Sequence, residues 1–589
     1  MADSASAFQG NPIDLLVAGV DSYADCLRAD GELLDPVMGV ATQYGTAYHA
    51  YANAVIAEFG PADVRDEHLD RALRGVEAAL RHTSRPELAP TASGFVRETA
   101  SVRSAGNHRD FTWPPILKTV LILERLGADA GRVRSLKAAV AGVDVHASFR
   151  SRPPSNWCAV WMSGEWIRMR EGLSPTRVEE FDGWLDVFFD EVLDSDLGLF
   201  LERGYPNAYD LFTKAHLADL LVEGYDGRNR QRLLDFLTAG VKRSLAMQLS
   251  DGSVASGYRS AGQTWTLGAQ VAFFTSALRL ELPGNRDDVV AAAWRAFSSM
   301  PAWQRPGGYY SPVLNLQPPE RRVGYEGYTA DGHYANLALA FLATGLRNEL
   351  TALPRPGIDE LDRRPAVGLG VEPITHRGVL HEGRVSLAVQ AQADGVYDGT
   401  GLVDVTFGVG RMLQFVSSAR HRSGGPWINL GLGLRSEPAR TPTVVVSGRR
   451  HRFVDAGLAG GQLTVDTVIE PLAEGDDPVA GWAFRGQWRP TPDGIEVVEG
   501  TPGHTSYPTL FVPYPSDLGG GLHTAVSWIK GGARFGLGEE WVEVTVDASL
   551  EGRLDLPDDY ENRRGLCGLV RLDLAEPAEF VSWRIRSSA

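Results

Sequence analysis

The apolar residues of this chain repeat with two different periods, and the change of period falls at one place. Up to about residue 350 they recur at steps of three and four, and beyond about residue 374 they alternate with polar or small residues. Steps of three and four line one face of a helix, whereas alternation lines one face of a strand. The chain is therefore predicted to fold as a helical half followed by a β half.

The stripe through Leu233, Leu234, Leu237, Val241, Leu245 and Leu249 is the clearest helical one. Similar stripes lie near 12–28, 43–59, 67–82, 114–126, 132–142, 157–172, 178–193, 208–222, 265–281, 286–299 and 333–349. Turn signals separate them, such as GLSP at 172–175, EGYDG at 223–227 and LPGN at 282–285. About a dozen helices in successive hairpins can close into an (α/α) toroid or barrel; an irregular bundle or a solenoid competes. No repeat of fixed period is visible, which weakens the solenoid.

Residues 1–352 are read as the toroid and 353–373 as a linker, marked by Pro354, Pro356, Pro365, Pro373 and the charged stretch 359–364. Residues 374–589 are read as an antiparallel β-sandwich. Alternation through Val385, Leu387 and Val389, and through Leu463, Val465, Thr467 and Ile469, supports short strands punctuated by Gly and Pro.

Charge and motifs narrow the function. A formal charge of −17 argues against a general nucleic-acid binder, although a few arginines in a cleft could still receive an anionic substrate. No apolar run approaches the roughly 20 residues a membrane span requires, so no membrane partner is expected. No leader pattern opens the chain, so a cytoplasmic location is expected, or a secreted one if a leader has been removed. Cys26, Cys158 and Cys567 are scattered and match neither a disulfide framework nor a zinc site. Phosphate-loop, dinucleotide, HExxH and GxSxG motifs are absent, so no cofactor is expected. His376, His381 and Glu382 cluster loosely at a spacing that fits no standard metal site. Oligomeric state is not legible.

Four stretches could carry chemistry. SFRSRPPSNW at 148–157 brings Arg150, Arg152 and Asn156 to a helix start, where donors and the helix dipole suit a carboxylate; alternatively Asn156 is only a cap. DGSVASGYRS at 251–260 presents Tyr258 beside Arg259, and a neighbouring cation favours an ionised phenol; alternatively this is an ordinary loop. Tyr209, Thr213 and His216 share one helical face, where a histidine is either a catalyst or a bonded core residue. RRVGYEGYTADGHY at 321–334 gathers Arg321, Arg322, Glu326, Tyr328 and Asp331. Trp113, Trp157, Trp161, Trp265 and Trp303 lie in or beside these stretches and could stack on sugar rings or fill the core.

Taken in order, Asn156-Trp157 opening a helix, Asp251-Gly-Ser253 opening a loop, and the stretch from Tyr328 to Tyr334 after paired arginines resemble the polysaccharide lyases of the hyaluronate, chondroitin and xanthan lyase group. The resemblance covers roughly residues 110–350. It implies an incomplete (α/α) toroid followed by antiparallel sheets, and cleavage at C4 of a uronic acid by β-elimination. It further implies that Asn156 neutralises the substrate carboxylate, that Tyr258 and Arg259 lie in the catalytic loop, and that Arg321 or Arg322 assists. The histidine this family carries in that loop is missing from 254–258, so Tyr258 or His216 would have to serve as base, or the chemistry differs.

The expected catalytic set is Asn156, Tyr258, His216, Arg259 and Tyr209, with Arg152, Trp157, Trp265, Arg322 and Tyr328 binding an anionic carbohydrate. A glycoside hydrolase using two of Glu165, Asp210, Glu326 and Asp331 is the competing enzyme, and a non-catalytic sugar-binding protein is the third reading.

Overall fold

A computed structural model describes residues 10–84, 109–149, 155–306, 308–364, 368–393, 395–437, 443–472 and 477–588. Among the described residues, twelve helices of ten or more residues follow the apolar stripes. They are α1 (Pro12–Asp21), α2 (Gly45–Phe59), α3 (Arg65–Ser84), α4 (Arg109–Arg125), α5 (Ala130–Ala141), α6 (Asn156–Arg170), α7 (Val178–Val192), α8 (Asn207–Val222), α9 (Arg230–Met247), α10 (Trp265–Arg279), α11 (Arg286–Ser299) and α12 (Asn336–Arg347).

The even-numbered helices form a ring in which each packs on the next and α12 returns to α2. The odd-numbered helices lie outside it. Composition explains the division. Every residue of α8 from Asn207 to Leu221 is buried, and so is every residue of α10 from Trp265 to Ala277. The outer α5 buries only Val133, Leu136 and Val140, a single stripe. Helices buried all round lie inside, and singly striped ones cover them. The first hairpin, α1–α2, completes the circle, so the toroid is closed where the resemblance implied an incomplete one. Gly164 lets α6 approach α4 closely, because a Cβ there would stand 2.8 Å from the Pro114 nitrogen.

Between each pair of successive inner helices an outer one runs back, so all six inner helices point the same way. Ring contacts among their first residues bear this out. Tyr44, capping α2, stacks on Phe111 at 4.9 Å and meets His333, ahead of α12, at 4.9 Å. Phe111 meets Trp157 of α6 at 5.8 Å, and Tyr209 of α8 meets Trp265 of α10 at 5.8 Å. One end of the barrel therefore gathers six helix N-termini.

The β half consists of three antiparallel sheets: one of five strands between residues 368 and 416, and two of eight. Leu387 and Val405 from the first, Val512 and Val570 from the second, and Val465, Phe535 and Trp583 from the third share one core. This is the layered antiparallel arrangement that strand alternation predicts.

The stretch read as a linker is fastened to both halves. It contains the helical turn Ile358–Leu361 and the strand Gly368–Leu369. Arg295 of α11 donates to the Leu361 carbonyl at 2.7 and 3.0 Å, and Arg364 donates to the Leu245 carbonyl at 2.7 Å. Toward the β half, Arg364 lies 3.1 Å from the His381 ring nitrogen and Asp362 accepts from the Val409 nitrogen at 3.0 Å, while Asp359, Glu360 and Arg363 are exposed; Pro365 lies outside the described residues.

The halves also meet directly. Met247, Leu249 and Ala255 pack on Val379, Ala388 and Val403, while Asp404 accepts from the Ser256 nitrogen and hydroxyl, both at 2.7 Å. The loop carrying Tyr258, Arg259 and Ser260 is therefore held from the β side. No described helix is long and apolar enough to cross a membrane.

Candidate active site

The N-terminal mouth of the barrel has an aromatic floor. Phe212 meets Phe111, Trp265 and Phe341 with ring centroids 5.2–5.9 Å apart. Above it runs a chain of hydroxyl groups. The Ser260 hydroxyl donates to the Tyr209 oxygen at 3.2 Å and lies 2.9 Å from the Tyr328 hydroxyl. Tyr328 in turn donates to the Glu326 carboxylate, which also accepts from the Ser260 backbone nitrogen at 2.5 Å. Tyr209 has a second hydroxyl neighbour, Tyr334, at 3.4 Å.

Burial sets the protonation of this chain. Desolvation holds the phenols of Tyr209, Tyr328 and Tyr334 well above their usual value, so they rest as donors. Desolvation also raises Glu326, opposed by the charge of Arg563 and the bond from Tyr328. Helix α8 places Tyr209, and two loops bring Ser260 and the Glu326–Tyr328 pair above it. Tyr258 and Ser260 adopt left-handed backbone with φ of 62° each, a strained geometry for non-glycine residues that clusters at functional sites.

The structure sorts the residues expected from sequence. Asn156 is the first residue of α6, while Ser155 does the capping by accepting from the Trp157 nitrogen at 3.2 Å. The Asn156 side chain is 3% exposed, and its amide nitrogen has no hydrogen-bond partner among the described residues. A buried donor left over in this way is available to an acceptor that enters. Trp157 is half-buried beside it, edge-on to Phe111. Arg150 and Arg152 lie outside the described residues.

Tyr258 stands apart from the hydroxyl chain. Its ring covers Gly204, meets Tyr397 at 4.7 Å and lines a cavity of about 330 Å³ between the halves with His376, Gln390 and Gln392. Arg259 does not lie against the Tyr258 phenol. It pairs with Glu202 and covers the Tyr209 ring at 4.3 Å, so the expected cation beside Tyr258 is turned toward Tyr209 instead.

His216 sits below the aromatic floor, 4.6 Å from the Phe212 ring and 5.6 Å from that of Phe341. Its Nε2 has no partner among the described residues, and burial with the nearby Lys118 charge pulls it down to about 3. It is a neutral imidazole screened from the mouth. Trp265, 1% exposed and bonded to Gln263 at 3.0 Å, is part of the floor and offers no face for stacking. Trp113 and Trp303 are buried as well. Arg322 braces its own loop by donating to the Thr329 carbonyl at 3.1 Å and covering Tyr325 at 5.0 Å.

Of the four carboxylates proposed for hydrolysis, three are engaged elsewhere. Glu165 accepts from Trp113 at 3.2 Å, Arg168 at 2.9 Å, Ser174 at 2.5 Å and Thr176 at 2.9 Å. Asp210 pairs with Lys214 at 2.6 Å, and Asp331 with Arg305 at 2.6 Å and Tyr325 at 2.7 Å. Glu326 alone reaches the hydroxyl chain. Among the described residues, no group of three or more His, Cys, Asp or Glu side chains is placed to hold a metal ion.

Sequence reasoning missed Ser260, Tyr44 and Tyr334 as mouth residues, and missed Tyr397 and Arg563, which come from the β half. Ser260 and Tyr334 lie within motifs that were noticed, and Tyr44 falls at the start of the helical stripe 43–59. The last two carry no local signal, because only tertiary folding brings them to the mouth.

No family model matches the chain, and no curated protein does. Solved structures do. The chondroitin AC lyase of Streptomyces coelicolor A3, in complex with chondroitin sulphate, is similar at 12% identity, over 98% of this chain and 79% of that one, with a TM-score of 0.49. Heparinase III is similar at 10% identity over 91% of each chain, with a TM-score of 0.38. A glycosyl hydrolase of family 88 from Bacteroides vulgatus is similar at 13% identity, over 58% of this chain and 100% of that one, with a TM-score of 0.39.

Proposed function

We propose that this chain is a carbohydrate-active enzyme, a lyase that cleaves uronate-containing oligo- or polysaccharides by β-elimination at the N-terminal mouth of the barrel. The observation that carries the reading is the hydroxyl chain from Tyr209 through Ser260 and Tyr328 to Glu326, with the Asn156 amide, which has no hydrogen-bond partner among the described residues, on the neighbouring inner helix.

Elimination requires loss of a weakly acidic C5 proton while negative charge builds on the adjacent carboxylate. The Asn156 amide, at the positive end of α6, would donate to that carboxylate as the charge develops. Tyr209 rests protonated, so to act as base it must pass its own proton on. Once the Ser260 hydroxyl turns its own proton from Tyr209 to Tyr328, Ser260 and Tyr328 give the Tyr209 proton a route to Glu326, whose raised carboxyl is a better acceptor than an exposed one. The C5–H and C4–O bonds break and a C4=C5 double bond forms. The C5 proton arrives on the Tyr209 oxygen and leaves it for the departing oxygen, after which Glu326 returns the relayed proton.

This assignment moves the proton-handling role from Tyr258 and His216, the sequence candidates, to Tyr209. The hydrolase alternative needs a second free carboxylate beside Glu326, and Glu165, Asp210 and Asp331 do not supply one. The test is the absorbance of the unsaturated product with wild-type protein and Tyr209→Phe, each beside a reducing-end assay. Absorbance lost in the variant supports the reading. New reducing ends without absorbance would replace it with hydrolysis.

A further inference from the structure

The tip of one β-hairpin reaches into the helical half. The strands Leu550–Asn562 and Gly565–Leu574 pair antiparallel up to Asn562 opposite Gly565, which leaves Arg563 and Arg564 as the two turn residues. The tip fits against two glycines of the helical half. A Cβ on Gly262 would stand 3.1 Å from the Arg563 carbonyl oxygen, and one on Gly324 would stand 2.6 Å from it. Both glycines have left-handed backbone, with φ of 73° and 78°, so a side chain is disfavoured there on two counts. They belong to the loops that carry Ser260 and Glu326 respectively.

The two arginines are used differently. Arg564 is an anchor that pairs with Asp251 and donates to the Ser253 hydroxyl at 3.2 Å. Arg563 is 8% exposed and points toward the mouth, with its guanidinium 5.4 Å from the Tyr397 ring and 3.3 Å from Asp398. Neither of its terminal nitrogens makes a hydrogen bond among the described residues. Among those residues no ion pair joins it to Glu326, although its charge is felt there.

A guanidinium presents a planar fork of donors that matches a carboxylate or sulfate, and here the ion pair with Asp398 still leaves both terminal nitrogens without a hydrogen bond among the described residues, which is costly for buried donors. A purely structural residue at this tip would be bonded as Arg564 is. We propose that Arg563 is a substrate-positioning residue, delivered by the C-terminal domain, which engages the anionic group of the sugar bound in the mouth. The proposal rests on the uronate reading of that site and adds that the helical half alone is an incomplete enzyme.

The experiment is calorimetric titration of the full chain with a glucuronate-containing tetrasaccharide and with its carboxyl-reduced counterpart. Every protein carries Tyr209→Phe to stop turnover. The parent is expected to prefer the charged glycan. Arg563→Ala is expected to weaken that glycan about ten- to a hundredfold, the worth of a hydrogen bond to a charged group, and to leave the reduced one within about twofold. Arg563→Lys, which keeps the charge and loses the fork, should recover part of the loss and covers the case in which the alanine variant does not fold. Equal loss for both glycans, or none for either, overturns the role of Arg563 while a parent preference for the charged glycan leaves the uronate reading standing. A parent without that preference overturns the uronate reading, and this proposal with it.

Discussion

The two ends of the helical barrel are built from the same six inner helices and treat polar side chains in opposite ways. Toward the C-terminal ends, charges are paired. Lys118 of α4 meets Asp219 of α8 at 2.5 Å, and Asp219 also accepts from Ser163 of α6 at 2.9 Å. Glu223 lies 2.7 Å from Arg170 and 3.7 Å from Arg347, cations at the C-terminal ends of α6 and α12, where the helix dipole favours them. At the N-terminal mouth Arg259 and Arg563 are ion-paired with Glu202 and Asp398, yet among the described residues the Asn156 amide and the terminal nitrogens of Arg563 make no hydrogen bond, and a carboxyl is raised by burial. The paired end holds the ring closed. Under the proposed function, the donors left without hydrogen bonds at the mouth serve an entering ligand, which offsets the cost of burying them.

The strongest way to break this comparison is to disturb the paired end. Asp219→Ala removes the near partner of the buried Lys118, leaving it only Glu223 at 3.8 Å, and is expected to cost about 3 kcal/mol in denaturant unfolding, while the protein that remains folded keeps its activity. A loss below about 1 kcal/mol would mean that the network does not support the barrel. At the mouth the expectation inverts. Asn156→Ala should lower kcat/KM by about 10²–10³, the worth of one donor to developing charge, with stability changed by less than about 1 kcal/mol. A large fall in melting temperature with little kinetic effect would make Asn156 a structural residue.

A pH series tests the β-side support of the mouth. Burial raises the Asp404 carboxyl from its ordinary 3.8 to about 7, the bonds from Ser256 opposing this. A carboxyl whose folded value exceeds its unfolded one binds protons more tightly when folded. Its contribution to stability is therefore complete below pH 3.8 and is lost as the pH rises to about 7, after which it is flat. The difference between wild type and Asp404→Asn, measured by thermal unfolding, should change in that window and nowhere above it. A difference constant across the range would contradict the burial assigned to Asp404. The smallest effect is expected at the boundary between the two ends. His216→Phe, beneath the floor, should change kcat less than about tenfold; a loss beyond about a hundredfold would restore the imidazole as base.

Much of the fold was legible because helix and strand periods differ so plainly. Inner and outer helices can also be told apart in the sequence: α10 is apolar all round, whereas α3 carries charge on all but one face. Closure of the ring was not legible, since it depends on how far successive hairpins rotate. In the site, Asn156 stood out because it lies at a helix start beside two arginines, and Tyr209 because it shares a helical face with Thr213 and His216. Trp265 was expected to stack on sugar and proved to be floor, because a tryptophan at a helix start looks the same whether covered or open. Arg563 could not be found by spacing, as it enters from a hairpin some three hundred residues beyond Ser260.

The most direct measurement follows absorbance of the unsaturated uronate product, with uronate glycans as substrates, for wild type, Tyr209→Phe and Asn156→Ala, alongside new reducing ends. The account predicts that absorbance and reducing ends rise together in the wild type, and that both fall at least about a hundredfold in each variant. Reducing ends that appear without absorbance, or absorbance that survives in Tyr209→Phe, would contradict elimination through the hydroxyl chain at the mouth.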